Sequence, residues 1–167
     1  GTLADHANRL TEPPVRLPAF TPSLRRAEDL EVTPALARPG GLLMDNGLGG
    51  FSPDGKEYVI YLQPGQHTPL PWVNVIANPQ FGFLVSESGA GCTWAENSGE
   101  NRLTPWRNDP VTDLPGEALY LRDEESGLFW SPAPLPRRGA GHYVSRHGFG
   151  YSVFEHTEAG IRSEMWV

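Results

Sequence analysis

The chain has 167 residues, a formal net charge of −7, one cysteine, 19 glycines and 17 prolines. Breakers at this density exclude helix bundles and coiled coils, while 38% hydrophobic residues are enough for a core and exclude a disordered chain. The acidic balance excludes a nucleic-acid binder, which needs a basic face, and no apolar run approaches the ~20 residues of a helical membrane span.

Residues 1–41 read as a linker or arm lying along a larger body. Pro13, Pro14, Pro18, Pro22, Pro34 and Pro39 leave only two short helix-compatible pieces, Ala4–Leu10 and Ser23–Leu30. Gly47-Leu48-Gly49-Gly50 is not a phosphate loop, because Phe51-Ser52-Pro53 follows in place of a helix. Its glycines read as turns between short strands. Ser52-Pro53-Asp54-Gly55 is a turn leading into a strand at Glu57–Leu62. Strands follow at 72–76 and 81–85, split by Asn78-Pro79, and Cys92 sits in a further strand as an inert buried thiol. Strands at 117–122 and 128–130 flank a hairpin loop ending in Gly127. The last strands are 142–146, 151–156 and 161–166, the final pair joined by Thr157-Glu158-Ala159-Gly160. About nine short strands at regular spacing predict an all-β, antiparallel β-sandwich over residues 42–167. The final strand carries no turn signal after it, so its edge is expected to be unpaired and the domain to be part of a larger one.

The stretch from Thr93 to Pro110 concentrates aromatic and polar side chains without strand periodicity. An indole covers the C–H face of a sugar, while Asn, Arg and carboxylates bond its hydroxyls. Trp94, Asn97, Asn101, Arg102, Trp106, Arg107 and Asp109 are therefore the candidate carbohydrate-binding residues. The structural alternative is a long loop whose Trp residues plug the core and whose Asn residues cap turns. Glu96 or Glu100 with Asp109 forms a weakly signalled acid/base pair, outweighed by ordinary surface placement. The histidines His6, His67, His142, His147 and His156 show no HxH or HExxH spacing and read as strand-end hydrogen-bonding groups. No metal, cofactor or catalytic residue is assigned.

Four segments, in order, carry a resemblance. They are Asp45-Asn46-Gly47-Leu48-Gly49-Gly50-Phe51 through Ile60, Thr68–Asn74 through Gly82, Asn101–Pro110, and Pro115–Asp123 through Pro132, followed by Arg146-His147-Gly148-Phe149-Gly150-Tyr151. Together they resemble the N-terminal β-domain of glycoside hydrolase family 94, formerly glycosyltransferase family 36, over about residues 42–167. Asn46–Gly55 and Val85-Ser86-Glu87-Ser88-Gly89 are most similar to the phosphorylase-type region of cyclic β-1,2-glucan synthases. The resemblance implies a supersandwich of the galactose-mutarotase-like class. It implies that the catalytic general acid is an Asp in a following (α/α)6 barrel, which these residues do not contain. The expected role is a non-catalytic β-sandwich that packs on the catalytic domain of the same polypeptide, contributes to a homodimer and contacts β-glucan oligosaccharide. The rival roles are a purely structural scaffold and oligomer interface, or a small independent hydrolase or lyase. By the same resemblance this is a soluble piece of a bacterial, inner-membrane-associated parent.

Overall fold

A computed structural model describes residues 35–167; the arm reading for 1–34, with its two short helices and His6, lies outside the described residues. The strands are β1 (Gly49–Phe51), β2 (Glu57–Leu62), β3 (Val73–Ala77), β4 (Phe81–Ser86), β5 (Gly91–Ala95), β6 (Leu121–Arg122), β7 (Phe129–Trp130), β8 (Tyr143–Gly148), β9 (Tyr151–Glu158) and β10 (Ile161–Trp166). They form a five-stranded sheet in the order β1-β2-β8-β9-β10, a three-stranded sheet β3-β4-β5 and a small β6-β7 ribbon. Every pairing is antiparallel. Among the described residues there is no helix, and so none long and apolar enough to cross a membrane.

Alternation along the strands sorts side chains between two faces of the large sheet. The inner face brings Phe154 of β9 against Val85 of β4 and Ala133, with Phe83 and Met165 beside them. Next to this, Ile60, Leu62 and Tyr143 pack with Leu48, Tyr58 and Trp72. Polar ties between the sheets are met within the protein, as burial requires. Asn74 Nδ2 donates to the carbonyls of Gly148 and Tyr151, both at 2.9 Å, and Ser145 Oγ donates to the Glu87 carbonyl at 2.9 Å. The outer face buries Val59, Tyr61 and Val144 beneath Leu36 and Leu42. The Tyr61 hydroxyl donates to the Leu36 carbonyl at 3.2 Å, so the end of the expected arm lies on the sheet.

Other strand ends shift by one or two residues from the sequence reading, and three differences have a local reason. Gly49 and Gly50 lie in β1 and not in a turn. A Cβ on Gly49 would stand 2.3 Å from the Val59 carbonyl oxygen, so close strand approach fixes the glycine. The last hairpin turns on two residues only, Ala159 and Gly160, both at positive φ (49° and 79°). The strand expected over 117–122 shrinks to Leu121–Arg122, and Leu119 and Tyr120 remain exposed before it.

Candidate carbohydrate-binding site

The loop that follows β5 is built by turn chemistry. Asn97 Oδ1 accepts from the backbone N–H of Gly99 at 2.8 Å and of Glu100 at 3.0 Å, an Asx turn that fixes the bend. Glu96 enters it with φ 58°. The chain then runs back along β5. Arg102 bridges Trp94, the Leu103 N–H donates to the Thr93 carbonyl at 2.9 Å, and Thr104 Oγ1 accepts from the Thr93 N–H at 2.8 Å. A second bend closes at Asp109, whose carboxylate accepts from the Val111 N–H at 3.0 Å and from the Thr112 hydroxyl at 2.5 Å. These bonds hold the Asp109 carboxyl below the usual carboxylate range. The far end is pinned by Asp113, which accepts from the hydroxyls of Ser86 and Ser88.

Within this frame the seven candidate residues divide. Trp94 is 8% exposed and packs on Gly82, where a Cβ would meet its indole at 2.4 Å; it presents no ring face to solvent. Asn97 and Asp109 spend side-chain oxygens on the two bends. Arg102 donates from Nε to the Ser98 carbonyl at 2.8 Å, and its guanidinium sits 5.8 Å from the half-buried Trp106 ring. Asn101 and Arg107 are exposed. What the fold brings together at the surface is thus Arg102 with Trp106, flanked in sequence by Asn101 and Arg107. Glu96 and Glu100, paired with Asp109 in the acid/base reading, are exposed, and Asp109 is committed to its turn as a carboxylate acceptor.

The remaining groups singled out in the sequence have packing partners. His147 Nδ1 pairs with Ser152 Oγ at 2.9 Å and Nε2 with the Trp72 carbonyl at 3.1 Å; burial pulls its pKa down. His156 is fully buried, stacked on Tyr143 at 3.8 Å, with Nδ1 on the His142 carbonyl at 2.9 Å. Its Nε2 lies 3.3 Å from Glu158, yet burial dominates and its pKa is also lowered. His142 stacks on Tyr61, and His67 meets Arg138 at 3.3 Å. Cys92 is buried, and burial pushes its thiol pKa up. A 540 Å³ cavity opens between the sheets beside Phe83, Val85, Ala133, Leu135 and Met165; its walls offer apolar surface in place of converging polar groups. Sequence reading missed a charged cluster on the outer face, Glu57, Arg146, Glu155 and Arg162. Its members sit on four strands, and only the strand register unites them.

Comparison with known proteins places the chain in a family. Residues 56–167 match the model of the glycosyl hydrolase 94 supersandwich domain. The chain is 48% identical over 126 residues to cyclic beta-(1,2)-glucan synthase NdvB of Rhizobium meliloti (strain 1021), covering 75% of this chain and 4% of that protein. It is 36% identical over 116 residues to N,N'-diacetylchitobiose phosphorylase of Vibrio furnissii, covering 68% and 14%. It is 31% identical over 124 residues to solabiose phosphorylase of Paenibacillus borealis, covering 69% and 15%. The chain therefore spans a small part of each of these relatives.

Proposed function

From the premise that this chain belongs to the glycosyl hydrolase 94 family as its supersandwich domain, we propose that it is the non-catalytic, carbohydrate-contacting β-sandwich portion of a cyclic β-1,2-glucan synthase or related glycoside phosphorylase. It supports the catalytic domain of the same polypeptide and meets β-glucan through the loop after β5. The observation that carries this reading is the Arg102–Trp106 pair, 5.8 Å from guanidinium to ring, held outward on a loop whose bends are locked by Asn97 and Asp109. A half-buried indole beside exposed Asn101 and Arg107 offers a face for sugar C–H groups and donors for its hydroxyls. Homodimer formation and an inner-membrane parent are part of the same proposal, with the family resemblance as their support.

Titration calorimetry of the chain with a linear β-1,2-glucan oligosaccharide tests the sugar contact. Saturable heat at millimolar ligand is expected, and none at that concentration removes it. One specific observation favours a second reading, a scaffold without sugar contact. Three of the seven loop candidates, Trp94, Asn97 and Asp109, serve packing or turns. Under that reading Trp106 too is structural, and its truncation lowers stability without any affinity to lose.

A further inference from the structure

The outer face of the five-stranded sheet holds a groove of 410 Å³, within the usual range for a small-ligand site. Buried Val59 of β2 and Val144 of β8 line it. Register places Glu57, Arg146, Glu155 and Arg162 on this same face, one from each of β2, β8, β9 and β10. Arg162 Nη2 donates to Glu155 Oε2 at 2.8 Å. Arg146 sits between two carboxylates, with Nη2 3.3 Å from Glu155 and Nε 4.0 Å from Glu57. Its Nε makes no hydrogen bond. The other Glu57 oxygen accepts from the Tyr151 hydroxyl at 2.8 Å, and Tyr151 stacks on Trp166 with ring centroids 5.5 Å apart.

This pattern selects a ligand chemistry. Glu164, cross-strand from Glu155 on this face and bonded to Trp166 Nε1 at 2.7 Å, adds a third carboxylate, so an anion gains no net attraction to the two carboxylates and two guanidinium groups of the groove. They form an alternating row of acceptors and donors, and a hydroxyl group can satisfy both. Val59 and Val144 lie beneath Leu36 and Leu42 and close the base of the groove, so the surface for sugar C–H groups is Trp166, 61% exposed and stacked on Tyr151 on the same side of the sheet.

We propose that this groove is a second glycan subsite, taking a neutral pyranose unit between Glu57, Arg146, Glu155 and Arg162. It rests on the reading that the chain contacts β-glucan, but not on the loop after β5. The test is amide chemical-shift mapping of the labelled chain titrated with a linear β-1,2-glucan oligosaccharide, repeated with Arg162→Ala and Trp106→Ala. Arg162 is 65% exposed, so its truncation leaves the fold intact. Saturable shifts at Val59, Val144, Arg146 and Glu155 are expected, and Arg162→Ala should weaken them about tenfold, the loss of one charge-assisted hydrogen bond. Shifts confined to the loop from Asn97 to Arg107 overturn the subsite and leave the loop reading standing. Shifts confined to the groove, insensitive to Trp106→Ala, support the subsite and remove the loop reading. Absence of any shift, or displacement of the sugar signal by inorganic phosphate, overturns the subsite.

Discussion

Trp94 and Trp106 lie twelve positions apart in one stretch of sequence and end in opposite environments. Trp94 belongs to β5, where alternation turns it onto the sheet and Gly82 leaves room for its indole. Trp106 lies between two bends, half-buried, with a guanidinium beside it. The difference shows that the same side chain is core where a strand fixes its direction and surface where turn chemistry does. Register puts Trp94 on the face of the small sheet opposite Phe83 and Val85, so its burial, the inter-sheet cluster and the outward loop can each be probed by experiment.

The largest effect belongs to the core. Phe154 is fully buried in the inter-sheet cluster, and Phe154→Ala should cost about 3–5 kcal/mol, read from denaturant unfolding. Trp94→Ala should fall in the same range, and Gly82→Val should match it by forcing the indole out. A Trp94→Ala loss below about 1 kcal/mol would mean that the indole is not a core plug.

A pH effect comes next. Burial lowers the pKa of His147 and of His156 in the folded chain. The unfolded chain then binds more protons, so their contribution is complete above an unfolded pKa near ~6.5 and is lost as pH falls below it. The unfolding free energy should drop by up to about 1.4 kcal/mol per pH unit for each histidine. Buried Glu87 works in the opposite sense. Burial raises its pKa, so its contribution is present below the unfolded carboxyl value and fades as pH rises through the folded one. Replacing His147 by Asn should reduce the acid slope by one proton; an unchanged slope would show that His147 is not buried as a neutral ring.

The smallest effect on stability belongs to the loop. Asn97→Ala removes the acceptor of the first bend and should cost about 1 kcal/mol, with hydrogen exchange rising at Gly99 and Glu100. If exchange there stays unchanged, the bend does not depend on the Asx turn.

Much of the sandwich was legible in the sequence because turn residues punctuate it. Glu57–Leu62 begins where Pro53-Asp54-Gly55 ends, and the hairpin at Ala159-Gly160 shows in its glycine. The strand at Gly49–Phe51 was not legible, because glycines required by close strand approach look like glycines required by turns. Residues 117–120 have strand composition but no partner, and pairing is a tertiary fact. Of the loop residues, composition indicated sugar chemistry for all seven alike. It could not separate Trp94, whose direction depends on β5, or Asn97 and Asp109, whose oxygens the backbone takes. The outer-face cluster was invisible for a related reason: Glu57 and Arg146 stand 89 positions apart in the sequence and meet only through the β2–β8 register.

The division between the two tryptophans is tested most directly by Trp106→Ala, measured for β-1,2-glucan affinity by calorimetry and for its unfolding midpoint on the same sample. The expected result is at least about a tenfold loss of affinity with a midpoint close to that of the unaltered chain. Retained affinity, or a midpoint that collapses as for Trp94→Ala, would contradict it.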